Sequence, residues 1–426
     1  MSDPSPKYRS RLVAGSRLYY GWWVVLAGTL GAMMTFPGQT TGVSVFLDSI
    51  IDELGLTRSG VSVLYLAGTL VGSLTLPFSG RFVDRRGPRT AVIVFATAFA
   101  LACLWMGLTT GAVMLFIGFT LVRALGQGAL SLVSAHVIAI WFVRRRGFAI
   151  GLLGIGTAVS SAVFPVALEA LIGGIGWRTS YAALGLLVAV TILPVGALVY
   201  RDRPETYGLR PDGFAAVDEG GPDTGAAPEI DYTLPQARRT ITFWLYVTGL
   251  TLASTFGTGL VFHHFSILAD GGIGRGDAAL AFVWFGVASA AANLATGALI
   301  RTVAPRFLLA TMLLALGAGL LLAGFVPGPE VILAYGLLLG ARNGMFGSLN
   351  NNVFAYYFGR KHLGSVKGLA TTALVVGSAV GPLIMATGYD LLGSYTATMI
   401  ASAVLPLVLA VVAPFLRLRR ADGTVA

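Results

Sequence analysis

The sequence predicts an all-α membrane protein with twelve transmembrane helices in two six-helix repeats. Three observations carry that prediction. The chain is 55% hydrophobic and only 11% charged, with a mean hydropathy of +0.79, whereas soluble domains carry about 25% charged residues, so most of its surface faces lipid. Twelve apolar stretches each reach the roughly 20 residues needed to cross a bilayer core. Residues 38 to 165 also return, weakly but in register, 217 positions later. Gly42 matches Gly259, Ser49 and Ile50 match Ser266 and Ile267, Arg58 matches Arg275, and Gly80 matches Gly297. Pro88 and Arg89 match Pro305 and Arg306, while Gly147, Gly151, Ser161 and Pro165 match Gly364, Gly368, Ser378 and Pro382. A constant offset held over that length marks a duplicated unit.

The elements follow in order. A basic tail, residues 1–19 with Lys7, Arg9, Arg11 and Arg17, precedes helix 1 at 20–45. That helix is too long for the apolar region of a signal peptide, and no small-residue cleavage site follows it, so it stays. Helices 2 and 3, at 59–79 and 90–109, flank a loop holding Arg81, Arg85, Arg86 and Arg89. Helices 4 and 5, at 113–141 and 147–172, flank Arg144, Arg145 and Arg146, and helix 6 at 178–200 closes the first bundle, 20–200. Residues 201–239, rich in Pro, Gly, Asp and Ala, read as a flexible cytoplasmic linker. The second bundle, 240–416, holds helices at 241–267, 277–300, 306–326, 331–356, 365–389 and 395–416, and a tail follows at 417–426.

Charge fixes the orientation. Of 29 basic residues, 24 fall in the tails, the linker and one set of loops; Arg58, Arg178 and Arg275 alone lie in the opposite loops. Positive residues are retained on the cytoplasmic side, so both termini are expected there, in a multi-pass plasma (inner) membrane protein. The net charge of +10 then needs no nucleic-acid partner; the partner surface is the lipid bilayer. The single cysteine, Cys103, excludes an internal disulfide or a cysteine-based metal site. No nucleotide-binding loop, catalytic triad or metal-ligand cluster occurs, so neither enzymatic chemistry nor a cofactor is expected.

The loop after helix 2 reads Gly80-Arg81-Phe82-Val83-Asp84-Arg85-Arg86-Gly87-Pro88-Arg89. Its glycines permit a tight turn, Asp84 can accept hydrogen bonds from a helix N-terminus, and the arginines can pair in one conformation only. It resembles the G-x-x-x-D-[RK]-x-G-[RK]-[RK] loop of the major facilitator superfamily, with Pro88 as a departure, and the resemblance assigns gating to Gly80, Asp84, Arg85, Gly87 and Arg89. The second copy carries Arg301 where Asp84 stands. A narrower resemblance lies at helix 5. Trp141-Phe142-Val143-Arg144-Arg145-Arg146-Gly147-Phe148-Ala149-Ile150-Gly151, continuing through Gly154 and Gly156, is similar to a monocarboxylate transporter signature, with Trp141 for Tyr and Ser160 for the last Gly. The opening Tyr20-Gly21-Trp22-Trp23-Val24-Val25 is similar to the start of that family and of the oxalate:formate antiporters.

Arg123 and Arg342 lie midway along helices 4 and 10. An arginine at that depth costs about 2.5 to 3.5 kcal/mol on insertion scales and usually marks a substrate or ion path. The superfamily resemblance places helices 1, 4, 7 and 10 around a central cavity, with Gln39, Gln127, Asn350, His263 and His264 as further candidate substrate ligands. The alternative for either arginine is structural, bonding backbone carbonyls at a helix kink beside Gly126 or Gly344. No carboxylate falls in the middle of a helix, so a coupling proton would have to ride on the substrate or on a histidine: His136, His263 or His264. The reading is a secondary active transporter that moves a small organic anion, a mono- or dicarboxylate, by alternating access, with a proton or a counter-anion as the coupling species. The alternative is an efflux antiporter for amphipathic compounds, favoured by the Gly377-x-x-x-Gly381-Pro382 run of helix 11.

Overall fold

The structure is a computed structural model that describes residues 10–213, 231–300, 302–325, 330–359 and 361–416. Among these residues it is helical throughout its regular structure. Eight continuous helical stretches are long and apolar enough to cross a membrane. Two of them, Arg58–Gly107 and Arg146–Leu198, run to 50 and 53 residues, about 75 Å at ~1.5 Å per residue, more than twice a ~30 Å core. Each therefore holds two crossings. The break falls at Gly87 (φ +78) in one and at Gly176 (φ +75) in the other, left-handed positions that glycine adopts without a Cβ penalty.

The eight stretches thus account for ten crossings, and a broken first helix and Glu330–Phe358 complete the twelve. We number them α1 (21–54), α2 (58–86), α3 (88–107), α4 (112–141), α5 (146–175), α6 (177–198), α7 (241–270), α8 (Arg275–Leu299), α9 (Pro305–Phe325), α10 (Glu330–Phe358), α11 (Leu363–Leu392) and α12 (Tyr395–Val412). All twelve overlap the stretches expected from hydropathy.

Irregularities sit where the candidate site residues are. α1 is interrupted by the 3-10 turn Phe36–Gly38, where Pro37 supplies no backbone donor. A methyl added at Gly38 would collide with the Val122 carbonyl, so α1 and α4 meet here only because position 38 is glycine. α4 carries the π-helical segment Arg123–Leu130, a form that is rare and concentrated at functional sites. α7 is interrupted at His263, between Ile241–Phe262 and His264–Asp270.

Contacts divide the chain into two compact units. One comprises Met1–Gly42, Ala67–Ser160 and Leu171–Pro222, the other Val43–Leu66, Ser161–Ala170 and Asp223–Ala426. The second unit therefore takes in one end of α1, α2 and α5. Within it, α8 runs along α10, α7 along α11 and α9 along α12. Gly336, Gly340 and Gly344 form a ridge on α10, and a methyl on any of them would run into the carbonyls of Ala281, Phe285 and Ser289 of α8. Small residues at four-residue spacing are how membrane helices approach closely, since lipid supplies no hydrophobic drive between them. The Gly377–Gly381 run has the same purpose, because both glycines lie against Thr255 of α7.

The linker differs from the expectation of a flexible segment over 201–239. Its first part is docked on the first unit. Trp141 Nε1 donates to the Arg201 carbonyl (3.1 Å), and Asp202 Oδ1 accepts from the Arg89 amide (3.0 Å). The buried Asp212 carboxylate accepts from the amides of Val143 (2.9 Å), Arg144 (2.8 Å) and Arg145 (2.9 Å) at the entry to α5. Burial alone would raise the Asp212 carboxyl, but the three backbone donors outweigh it and hold the group below the ordinary carboxylate range. Its last part is docked on the second unit, where Asp231 Oδ1 accepts from the Lys361 amide (3.0 Å) and Tyr232 N donates to the Phe358 carbonyl (3.0 Å). Carboxylates that cap helix entries fix both ends. Residues 214–230 lie outside the described residues.

Candidate functional site

In the first unit Arg123 opens the π segment of α4 and is 5% exposed. Its Nε donates to Thr69 Oγ1 (3.2 Å), and its Nη1 to the Gly38 carbonyl (3.2 Å) and Thr40 Oγ1 (3.5 Å). The carbonyl is available because the break in α1 leaves it without a helical donor. Gln39 spends its amide on Thr35 Oγ1 of its own helix (2.9 Å). Gln127, one turn from Arg123, is exposed.

The loop between α2 and α3 belongs to the same unit. A methyl at Gly87 would collide with the Asp202 carboxylate, so glycine is needed there both for its φ and for the approach of the linker. Arg89 donates through Nη2 to the Ala197 carbonyl at the end of α6 (2.7 Å). Asp84 is exposed, with His136 Nε2 4.0 Å from its Oδ1. Arg85 is exposed, and Gly80 has open space where a Cβ would stand. Arg301, the counterpart of Asp84, lies outside the described residues.

In the second unit Arg342 is 4% exposed on α10. Its Nη1 donates to the Ala253 carbonyl of α7 (3.3 Å), but its Nε has no hydrogen-bond partner among the described residues. Two turns along the same helix, Asn350 Oδ1 is likewise buried without a partner. Buried polar atoms are nearly always satisfied, and one left without a partner costs on the order of 1–3 kcal/mol, more when charged. The histidines contrast with this. His263 contacts the Pro382 carbonyl (3.0 Å) and Ser62 Oγ (3.3 Å) through Nε2 and Tyr395 OH (3.2 Å) through Nδ1. His264 contacts the Ala278 carbonyl (2.8 Å) through Nε2 and Tyr335 OH (3.2 Å) through Nδ1, with the Tyr335 ring stacked beside it. Both rings therefore tie helices of this unit together.

A charged cluster at one end of the second unit brings together residues that are far apart in sequence. Arg275, at the start of α8, grips both oxygens of Glu169 on α5 (2.8 and 3.0 Å), Asp48 Oδ2 on α1 (3.0 Å) and the Val45 carbonyl (2.8 Å). Ser266 Oγ donates to the other oxygen of Asp48. Arg58, at the start of α2, lies 4.0 Å from Asp48, donates to Tyr395 OH (3.0 Å) and stacks over Tyr389 (4.5 Å). The signal was present in part: Arg58 and Arg275 are repeat partners at the 217 offset. Their convergence on one carboxylate needs the third dimension.

Twelve apolar helices, one buried mid-helix arginine in each unit and a glycine-broken basic loop between α2 and α3 define a polytopic membrane protein. The family model of the Major Facilitator Superfamily matches residues 28–270 and 247–425, nearly the whole chain, and the protein belongs to that superfamily. Among curated relatives, an uncharacterised MFS-type transporter of Mycobacterium tuberculosis is 28% identical over 43% of this chain and 33% of its own length. Monocarboxylate transporter 11 of Mus musculus is 25% identical over 89% of this chain and 84% of its own. The match thus spans about a third of the first of these and most of the second, and the chain resembles the monocarboxylate transporter branch. A bacterial homolog of the human lysosomal transporter Spinster, solved in an inward-facing and unoccupied conformation, superposes with a TM-score of 0.71. It has 17% identity and covers 94% of this chain and 96% of that one, a likeness of fold.

Proposed function

We propose that the protein is a secondary active transporter of a small organic anion, a mono- or dicarboxylate, working by alternating access, with Arg342 as the residue that holds the carboxylate. The observation that carries this reading is the unpartnered Nε of Arg342 on a guanidinium buried at mid-helix. A carboxylate is the ligand that fits, because the planar edge of a guanidinium offers two parallel N–H donors to it. Arg123, by contrast, is already bonded within its own bundle. Asn350 is the second ligand in this reading, and Gln127 the exposed polar group of the first unit. The linker and both tails face the cytoplasm, and a proton or a counter-anion balances the substrate charge.

Uptake of labelled lactate, oxalate and succinate into proteoliposomes, with and without a pH gradient, tests this. Arg342→Gln should lower uptake by about thirtyfold or more, the loss that corresponds to removing ~2 kcal/mol of charge-assisted hydrogen bonding, while folded protein is recovered in normal yield. Arg342→Lys should restore it only in part, because a point charge lacks the two-donor edge. Unimpaired uptake by Arg342→Gln would reject the assignment.

A further inference from the structure

The two buried arginines sit in duplicated surroundings that have diverged, and the divergence singles out Gly257 on α7. Arg123 is held by hydroxyls of Thr40 and Thr69. At the 217 offset these positions are Gly257 and Gly286. Arg342, two residues beyond the counterpart of Arg123, packs its guanidinium against the first of them. A methyl built on Gly257 would stand 2.5 Å from Nη1 and closer still to Cζ and Nη2. The second copy therefore keeps a buried arginine but lacks both hydroxyl acceptors that satisfy the first. Among the described residues one backbone carbonyl, that of Ala253, remains as its acceptor, and Nε has none.

We propose that Gly257 is a positioning residue for anion binding. It seats the Arg342 guanidinium flat against α7, and by offering no side-chain acceptor it leaves the Nε edge free for a carboxylate. The inference rests on the reading of Arg342 as the anion ligand. The physical logic is that of preorganisation. A guanidinium fixed by packing and one backbone bond loses little entropy on binding, and an edge with no internal competitor gives its full hydrogen-bonding capacity to the ligand. Any side chain at position 257 would displace the guanidinium, and a hydroxyl there would also compete for it.

The test is a double-mutant cycle read in two ways on the full-length protein. In proteoliposomes Gly257→Ala should raise the KM for whichever of lactate, oxalate or succinate the parent takes up by roughly tenfold, with the maximal rate within about twofold. In an Arg342→Lys background, whose slimmer head group clears the methyl, the same change should alter KM by less than about twofold. In detergent, Gly257→Ala should lower the apparent unfolding temperature in the parent but not in Arg342→Gln, where the overlapping atoms are gone. If Gly257→Ala alone does not fold, recovery of folding in the Gly257→Ala, Arg342→Gln double variant supports the seat. An unchanged KM in Gly257→Ala, or an equal loss of stability with and without the guanidinium, overturns the proposal. Failure of the parent to take up any of the three anions, with the stability cycle still coupled, would instead overturn the anion reading and leave Gly257 as a packing residue only.

Discussion

Arg123 and Arg342 are the same residue type at similar depth in equivalent helices, yet their substitution should have opposite physical consequences. Arg123 donates to Thr69, Gly38 and Thr40, and removing it strands acceptors that were paired in a buried setting. Arg123→Gln is therefore expected to destabilise the protein by roughly 1–3 kcal/mol, read as a lower unfolding temperature in detergent. Arg342→Gln removes a buried cation with an unpaired donor, so stability should hold or rise. Equal destabilisation by the two changes would show that Arg342 is as structural as Arg123.

At the scale of elements, the Arg275 cluster ties the ends of α1 and α5 to the start of α8 with charge-assisted bonds at 2.8 to 3.0 Å. Side-chain exposure in the trio is about a third or less, so screening by salt is partial and removal of one partner leaves the others poorly compensated. Arg275→Ala is expected to loosen that end. A cysteine placed at Val45, a buried position beside the guanidinium, should react with an impermeant thiol reagent at least about tenfold faster in the Arg275→Ala background. Unchanged labelling would mean that packing alone, not the ion pairs, closes this end.

At the scale of the whole molecule, the distribution of basic residues gives the testable orientation. In a variant whose buried Cys103 has been replaced, a cysteine at Ser59 or Gly274 should be labelled by an impermeant reagent added outside sealed cells, and one at Thr224 should not. Labelling at Thr224 would reverse the assignment. Coupling belongs to the same scale. The buried histidines His263 and His264 have both ring nitrogens engaged within one unit, a packing arrangement, whereas His136 is partly exposed beside Asp84.

The sequence by itself determined the twelve crossings, the duplication and the family, because lipid imposes its demands one segment at a time. Length, apolar content and flanking arginines are local properties, and a repeat is visible as an offset. It also marked Gly87, whose left-handed turn follows from backbone sterics alone. Tertiary structure decided how the polar groups are spent. Nothing in the spacing of Arg123 and Arg342 tells which has acceptors, since Thr69, Gly38 and Thr40 reach Arg123 from other helices and Gly257 faces Arg342 from α7. The docking of Asp212 and Asp231 on the amides that precede α5 and α11 and the convergence of Arg58 and Arg275 on Asp48 were equally hidden. Hydrogen bonds and ion pairs act over about 3 to 4 Å between groups that are distant in sequence, so their pairing exists only once the helices have packed.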